Sequence, residues 1–243
     1  MENTPLKFPT EIIDLPSKGL VYPKENPLSE GKVEMKYMTA RSEDILTNQS
    51  YIEKGIVLDK LLEDLIVTKI NIKDLIVGDK NALLIAARVL GYGKEYKFTL
   101  KGEEITVDLS ILENKEFDIT PGTNEFSFTL PHSGNEITYK ILTGHDESLI
   151  DQELKGLKRL NKNSSHELST RLKYIITSVS DNRDTKSIRE FVDNYLLARD
   201  SRSLREHIKQ NQPDVNLKVQ VELSSGEEDV EIPINLNFFW PDL

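Results

Sequence analysis

Four histidines, two acidic clusters and one glycine pair are the residues of this chain that could carry chemistry. His132, His145, His166 and His207 would be the bases or metal ligands. No two of them stand four apart, the spacing that puts a metal pair on one helix face. They read as surface histidines. A serine nucleophile needs a tight turn and a histidine base. No G-x-S-x-G occurs, and His132-Ser133-Gly134 reads as an ordinary hairpin loop. Gly91-Tyr92-Gly93 follows a predicted helix and opens none, so no helix N-terminus faces it to hold a phosphate. Glu103-Glu104 and Glu227-Glu228-Asp229 could offer oxygens to a hard cation, but a calcium loop spaces several such ligands at fixed intervals. They read as solvated hairpin tips. The absence of cysteine excludes disulfides, thiol nucleophiles and thiolate-bound zinc. No catalytic, cofactor-binding or metal-binding residue is assigned, and the chain is not expected to be an enzyme.

The net charge of −10 argues against non-specific nucleic-acid binding, which needs a basic face. No apolar run approaches the ~18 residues that a membrane span requires. Residues Met1 to Ile12 lack a basic segment followed by an apolar core, so no secretory signal is expected.

The elements that would position any site are organised around Asp79 to Tyr96. Asp79 can cap a helix. Ala82 to Ala87, Val89 and Leu90 then cover nearly its whole surface, which predicts burial. Gly91 is expected to end it in a left-handed cap. Tyr96–Leu100 and Ile105–Leu109 follow as a hairpin around a KGEE tip. Before this helix, Val33, Met35 and Tyr37 alternate as a strand, and helices are predicted over 39–47 and 56–66. After it come a hairpin around PHSGN, helices over 149–160, 168–179 and 188–196, and a short helix capped by Asp200 or Ser201. A second hairpin turns at Gly226.

This order reads as an internal duplication. Lys36, Thr39 and Glu43 align with Lys140, Thr143 and Glu147 at an offset of 104. Leu62, Leu65 and Ile66 align with Leu172, Ile175 and Ile176 at 110, and Asp79 and Leu83 with Asp200 and Leu204 at 121. Gly102-Glu103-Glu104 aligns with Gly226-Glu227-Glu228 at 124. The expected fold is α+β: two tandem duplicated lobes about a local pseudo-twofold, each a small antiparallel sheet or hairpin with several helices. The expected divisions are an extended Pro-rich arm over 1–30, a first lobe over 31–122 and a second over 123–243.

Two apolar ends stand out as candidate partner contacts. In the arm these are Leu15, Pro16, Gly19, Leu20 and Tyr22; at the other end, Phe238, Phe239 and Trp240. Adjacent aromatics must bury against something. Both ends can pack within the chain or on a neighbouring subunit. Self-packing is expected for the aromatics and neighbour contact for part of the arm.

LPSKGLVYP, MTARSEDILTNQ, LIVGDKNALLIAARVLGYGKEY and IPINLNFFWP together resemble the baseplate protein family of T-even-like contractile-tailed bacteriophages, which covers baseplate hub subunits and hub assembly proteins. The resemblance implies a structural subunit of a tail baseplate hub that acts through protein–protein contacts and is oligomeric within the assembly. Its expected partners are other tail and hub proteins, with no cofactor, nucleic acid or membrane insertion. The implied location is the virion tail, with the host cytoplasm during assembly. The alternative within the same family is a transient hub assembly factor, absent from the mature virion. Related tail proteins carry cysteine pairs in these hairpins that could hold zinc. The tips KGEE and SSGEE keep the turn glycine and lack every thiol, so strand pairing alone must stiffen them.

Overall fold

The computed structural model describes residues 9–119, 121–160 and 166–239. Strand β1 (Thr10–Asp14) pairs antiparallel with β2 (Lys32–Lys36), Thr10 opposite Lys36 and Asp14 opposite Lys32. The expected extended arm is therefore the first strand of the first lobe from residue 10 onward, and residues 15–31 are its return loop. Helix α1 (Ala40–Leu46) starts after Thr39, whose N–H donates to Ser42 Oγ at 3.3 Å. Helix α2 (Gln49–Lys54) is capped by Asn48, which accepts from Tyr51 N. Helix α3 (Val57–Leu65) buries Leu61, Leu62 and Leu65, and the chain leaves it extended so that Ile66 bridges Met35.

A short 3-10 turn (Ile72–Asp74) leads into α4 (Val77–Tyr92). This helix begins two residues before Asp79, which is thus its third residue and not its cap. Nor does Gly91 end it. Gly91 lies within the helix, and Gly93 at φ 85° terminates it. Strands β3 (Glu95–Leu100) and β4 (Glu103–Asp108) then form a hairpin whose turn is only Lys101-Gly102.

The second lobe repeats the order. Strand β5 (Phe126–Thr129) pairs with β6 (Glu136–Tyr139), which also pairs with β7 (Ile176–Val179). Between them lie α5 (Gly144–Leu160) and α6 (Glu167–Ile175). The helix expected to reach Val179 stops at Ile175, because Thr177 and Ser178 join Thr138 across the sheet through hydroxyl contacts of 2.7 Å. Helices α7 (Thr185–Asn194) and α8 (Ala198–Asn211) follow, then the hairpin β8 (Lys218–Leu223) and β9 (Gly226–Glu231) and a 3-10 turn (Leu236–Phe238).

The chain is thus α+β with a duplicated plan. The match extends to single contacts. Ile66 bridges Met35 in the first lobe, and Ile176 pairs with Tyr139 in the second, at the same offsets of 110 and 104. Leu83 and Leu204, aligned at 121, are both fully buried.

Two departures from the expected organisation matter. The first concerns the core. Val215, Val221, Leu223, Ile232, Phe238 and Phe239 pack with the first lobe, so the final hairpin completes the first core and not the second. Gly78 permits this: a Cβ there would come within 1.9 Å of the Pro213 carbonyl oxygen, where the chain crosses the start of α4. The second core, with Leu130, Tyr139, Leu172, Phe191 and Leu204, lies between residues 126 and 208.

The second departure is symmetry. Gly144 N–H donates to the Leu75 carbonyl at 3.0 Å, and Ile76 bridges Thr143. A local twofold would return the contact by pairing Leu196 and Leu197 with Thr39 and Ala40. Among the described residues no such bridge forms. The hairpins also meet in one sense, β4 beside β8, with Lys101 Nζ 2.6 Å from Glu228 and Ser224 N 2.9 Å from Glu103. The acidic tips therefore tie the two hairpins together and are not merely solvated. The lobes follow one another without a twofold.

Candidate interaction surfaces

The arm residues are held by one buried carboxylate. Asp79 Oδ1 accepts from Ser17 N at 2.9 Å, and Oδ2 accepts from Ser17 Oγ and from the Tyr22 hydroxyl, both at 2.6 Å. The Tyr22 oxygen in turn accepts from Ile76 N at 3.1 Å. One aspartate thus fixes the LPSKG turn and the start of α4 at once. Burial raises the Asp79 pKa above the usual carboxylate range, although the Ser17 and Tyr22 hydrogen bonds oppose the shift. Burial, then the neighbouring Asp79, push the Tyr22 hydroxyl far up. Gly19 is required in this turn: its φ is +78°, and a Cβ would meet the Ser29 carbonyl oxygen at 2.3 Å.

The aromatic end is held by a buried cation. Arg88 of α4 donates from Nε to the Phe238 carbonyl at 3.2 Å and from Nη1 to the Gly93 carbonyl at 3.3 Å. Its guanidinium also lies 5.0 Å from the Tyr92 ring centroid. Phe238 packs on Tyr96 with centroids 4.9 Å apart and meets Phe239 edge-on at 5.6 Å. Phe238 and Phe239 are buried in the first core.

Most of the expected partner contacts are therefore occupied within the chain. Leu15, Pro16, Gly19 and Tyr22 are buried, Leu20 is half-buried, and Phe238 and Phe239 are enclosed. The physical reason is the pair of polar anchors, Asp79 and Arg88, which hold the two ends against α4. Trp240 lies outside the described residues.

The second lobe has a matching clamp that the sequence alignment missed. Asp200, the third residue of α8, accepts from His132 N at 2.8 Å and Ser133 N at 3.0 Å. The turn it holds, Leu130-Pro131-His132-Ser133-Gly134, repeats Leu15-Pro16-Ser17-Lys18-Gly19 at an offset of 115. Burial pushes the Asp200 carboxyl up, but hydrogen bonds from His132 and Ser133 outweigh it and leave the pKa below the usual value.

Among the described residues the four histidines fall on separate elements: His132 in the β5–β6 turn, His145 in α5, His166 before α6 and His207 in α8. His207 stacks on Phe128 at 4.4 Å, and burial lowers its pKa. His145 and His166 are exposed on separate helical stretches. Among the described residues no group of three His, Asp or Glu side chains could hold a metal ion, and no helix is long and apolar enough to cross a membrane.

Large apolar side chains are exposed on both lobes, Ile12, Val67, Val77 and Ile111 on the first among them. Leu168, Tyr195 and Leu197 are exposed around the start of α6 and the α7–α8 junction. Single exposed apolar residues are ordinary, whereas Leu197 is informative because its counterpart at offset 121, Ile76, is fully buried. No family model matches this chain, and no curated protein and no solved structure matches it.

Proposed function

We propose that the chain is a structural subunit of a bacteriophage tail baseplate hub, acting through protein–protein contacts in tail assembly. The observation that supports this best is where the resembling stretches meet. Asp79 of LIVGDKNALLIAARVLGYGKEY bonds Ser17 and Tyr22 of LPSKGLVYP, and Arg88 of the same helix bonds Phe238 of IPINLNFFWP. Segments far apart in sequence are thus joined through the buried polar groups of one helix. A scaffold of this kind suits a part that is clamped between neighbours. Its partners are other tail and hub proteins, and its place is the virion tail after assembly in the host cytoplasm.

Quantitative mass spectrometry of purified virions tests the reading. The chain should be present at a fixed copy number. Presence in infected-cell extracts together with absence from finished particles would replace it with the assembly-factor reading.

A further inference from the structure

We propose that copies of this chain associate head to tail, the β2–α1 junction of one first lobe docking on the α7–α8 junction of another copy's second lobe. The contact between lobes within the chain is the template. There, Leu75 and Ile76 lie at the entrance to α4 and are covered by Thr143 and Gly144 at the β6–α5 junction. Leu58 of α3 and Glu147 of α5 line the same groove.

The duplication states which residues would repeat that contact. Asp79 and Asp200 set the register of the receiving edge, so Leu75 and Ile76 correspond to Leu196 and Leu197 (offset 121). Leu62 and Leu172 set the register of the preceding helix, so Leu58 corresponds to Leu168 (offset 110). The edge has the same backbone in both lobes: Ile76 at φ −70°, ψ 158° and Leu197 at φ −63°, ψ 143°. Each residue's carbonyl accepts from the amide four residues on, at 3.0 Å from Lys80 and 2.9 Å from Ser201. The difference is cover at the bridging position: Ile76 is fully buried, whereas its counterpart Leu197 is 49% exposed. Leu58 is half-buried where its counterpart Leu168 is 48% exposed.

The inserting edge is also duplicated. Thr39 and Ala40 correspond to Thr143 and Gly144. Thr39 N–H donates to Ser42 as Thr143 N–H donates to Asp146, so both junctions turn alike. Ile141 and Leu142, which precede Thr143, are buried; their counterparts Tyr37 and Met38 are only half-buried. Ala40 and Arg41 are exposed. One substitution works against a perfect copy of the contact. A Cβ at Gly144 would come 3.1 Å from Lys73 Cα, so Ala40 requires a few tenths of an ångström more room.

The hairpins pack with the same polarity: β4 lies beside β8, each within its own two-stranded sheet. The same step taken between copies would bring β9 of one to β3 of the next. Because the inserting and receiving edges differ, such a contact is heterologous and generates a closed ring or an open filament. This inference goes beyond the baseplate reading and does not depend on it.

The absence of cysteine gives a direct test. Antiparallel bridged residues have Cα atoms about 4.5–5.5 Å apart, within disulfide reach. Full-length Thr39→Cys and Leu197→Cys variants are prepared separately and oxidised with a mild thiol oxidant. The mixture should give a disulfide-linked dimer, each variant alone should stay monomeric on a denaturing gel, and the doubly substituted chain should give a ladder. No link in the mixture, or equal linking by either variant alone, overturns the proposal. Light scattering is the second measurement. The unsubstituted chain should gain mass with concentration, and Leu197→Asp should weaken that association roughly tenfold or more with an unchanged melting temperature. A chain that stays monomeric throughout, or a Leu197→Asp variant that melts lower without any change in mass, overturns it as well.

Discussion

Asp79 and Asp200 occupy one position twice: the third residue of the long helix in each lobe, gripping the turn after that lobe's first strand. Their surroundings differ. Asp79 gathers a backbone amide and two hydroxyls inside the core, and burial raises its pKa. Asp200 takes two backbone amides from an exposed turn, and those bonds lower its pKa. The first lobe reached this state by threading residues 15–31 over its helix, which sealed the carboxylate away from water. The short β5–β6 turn covers Asp200 without isolating its donors. Both carboxylates are closed to solvent, and in each burial works against the hydrogen bonds, with burial prevailing at Asp79 and the His132 and Ser133 bonds at Asp200.

The largest expected difference between the lobes lies on the helices themselves. Leu84 is buried in α4, and its counterpart at offset 121, Arg205, is exposed on α8. Leu84→Asp should abolish cooperative folding, because burying an unpaired charge costs several kcal/mol, on the order of a domain's stability. Arg205→Asp should melt almost as the parent does. Circular dichroism melts of the two variants decide this, and a cooperatively folded Leu84→Asp protein would break the comparison.

Next in size is the aromatic end. Truncation after Asn237 removes Phe238 and Phe239 from the first core, at about 1.5–3 kcal/mol for each buried ring. Hydrogen exchange should show lost protection in α4 and β3, with α6, β7 and α7 unchanged. Equal loss in both lobes would mean that the two cores unfold as one.

Smaller again are the clamps. Asp79→Ala leaves three donors without their acceptor and should cost about 3 kcal/mol or more. Asp200→Ala should cost about 1 kcal/mol, because the exposed His132 and Ser133 amides can turn to water. Denaturant midpoints measured on each variant test the ratio.

The smallest effect is in pH dependence, and the two lobes should differ in sign. Asp79 has a folded-state pKa above its ordinary 3.8. Its contribution is therefore fully present below 3.8 and lost as pH rises through the folded value. The parent should gain on Asp79→Asn as pH falls through that window. Asp200 has a folded-state pKa below 3.8, so its contribution is present above 3.8 and lost as pH falls through the folded value. The parent should lose ground to Asp200→Asn in acid. Parallel slopes for both variants would erase the distinction.

Local pattern in the sequence revealed the element types, the duplicated order and the apolar centre of α4. It failed where partners are distant. An aspartate ahead of an apolar run reads as a cap, and nothing near Asp79 announces Ser17, 62 residues away. The LPSKG and LPHSG turns escaped the alignment because their offset of 115 falls back to 104 at Lys36 and Lys140. The long loop is an insertion in the first copy, against the trend of the later offsets. Strand β7 was hidden because Ile175, Ile176 and Val179 fit helical spacing as well as a four-residue strand. The aromatics Phe238 and Phe239 pack within the chain as expected, whereas the neighbour contact expected for part of the arm failed for a related reason: Leu15 to Tyr22 look available until Asp79, which anchors them, is located.

The hydrogen bond from Arg88 to Phe238 joins residues 150 apart, and this sets an order of events during synthesis. A ribosome adding roughly 5–20 residues per second needs on the order of 8–30 seconds to travel from one to the other. Through that interval α4 has emerged, yet its apolar surface lacks Phe238 and Phe239. The second core, whose residues all precede Pro213, can close in the meantime. The lobe translated first is thus the lobe finished last. A chain that stops short of Phe238 and Phe239 leaves that core open at α4 and β3.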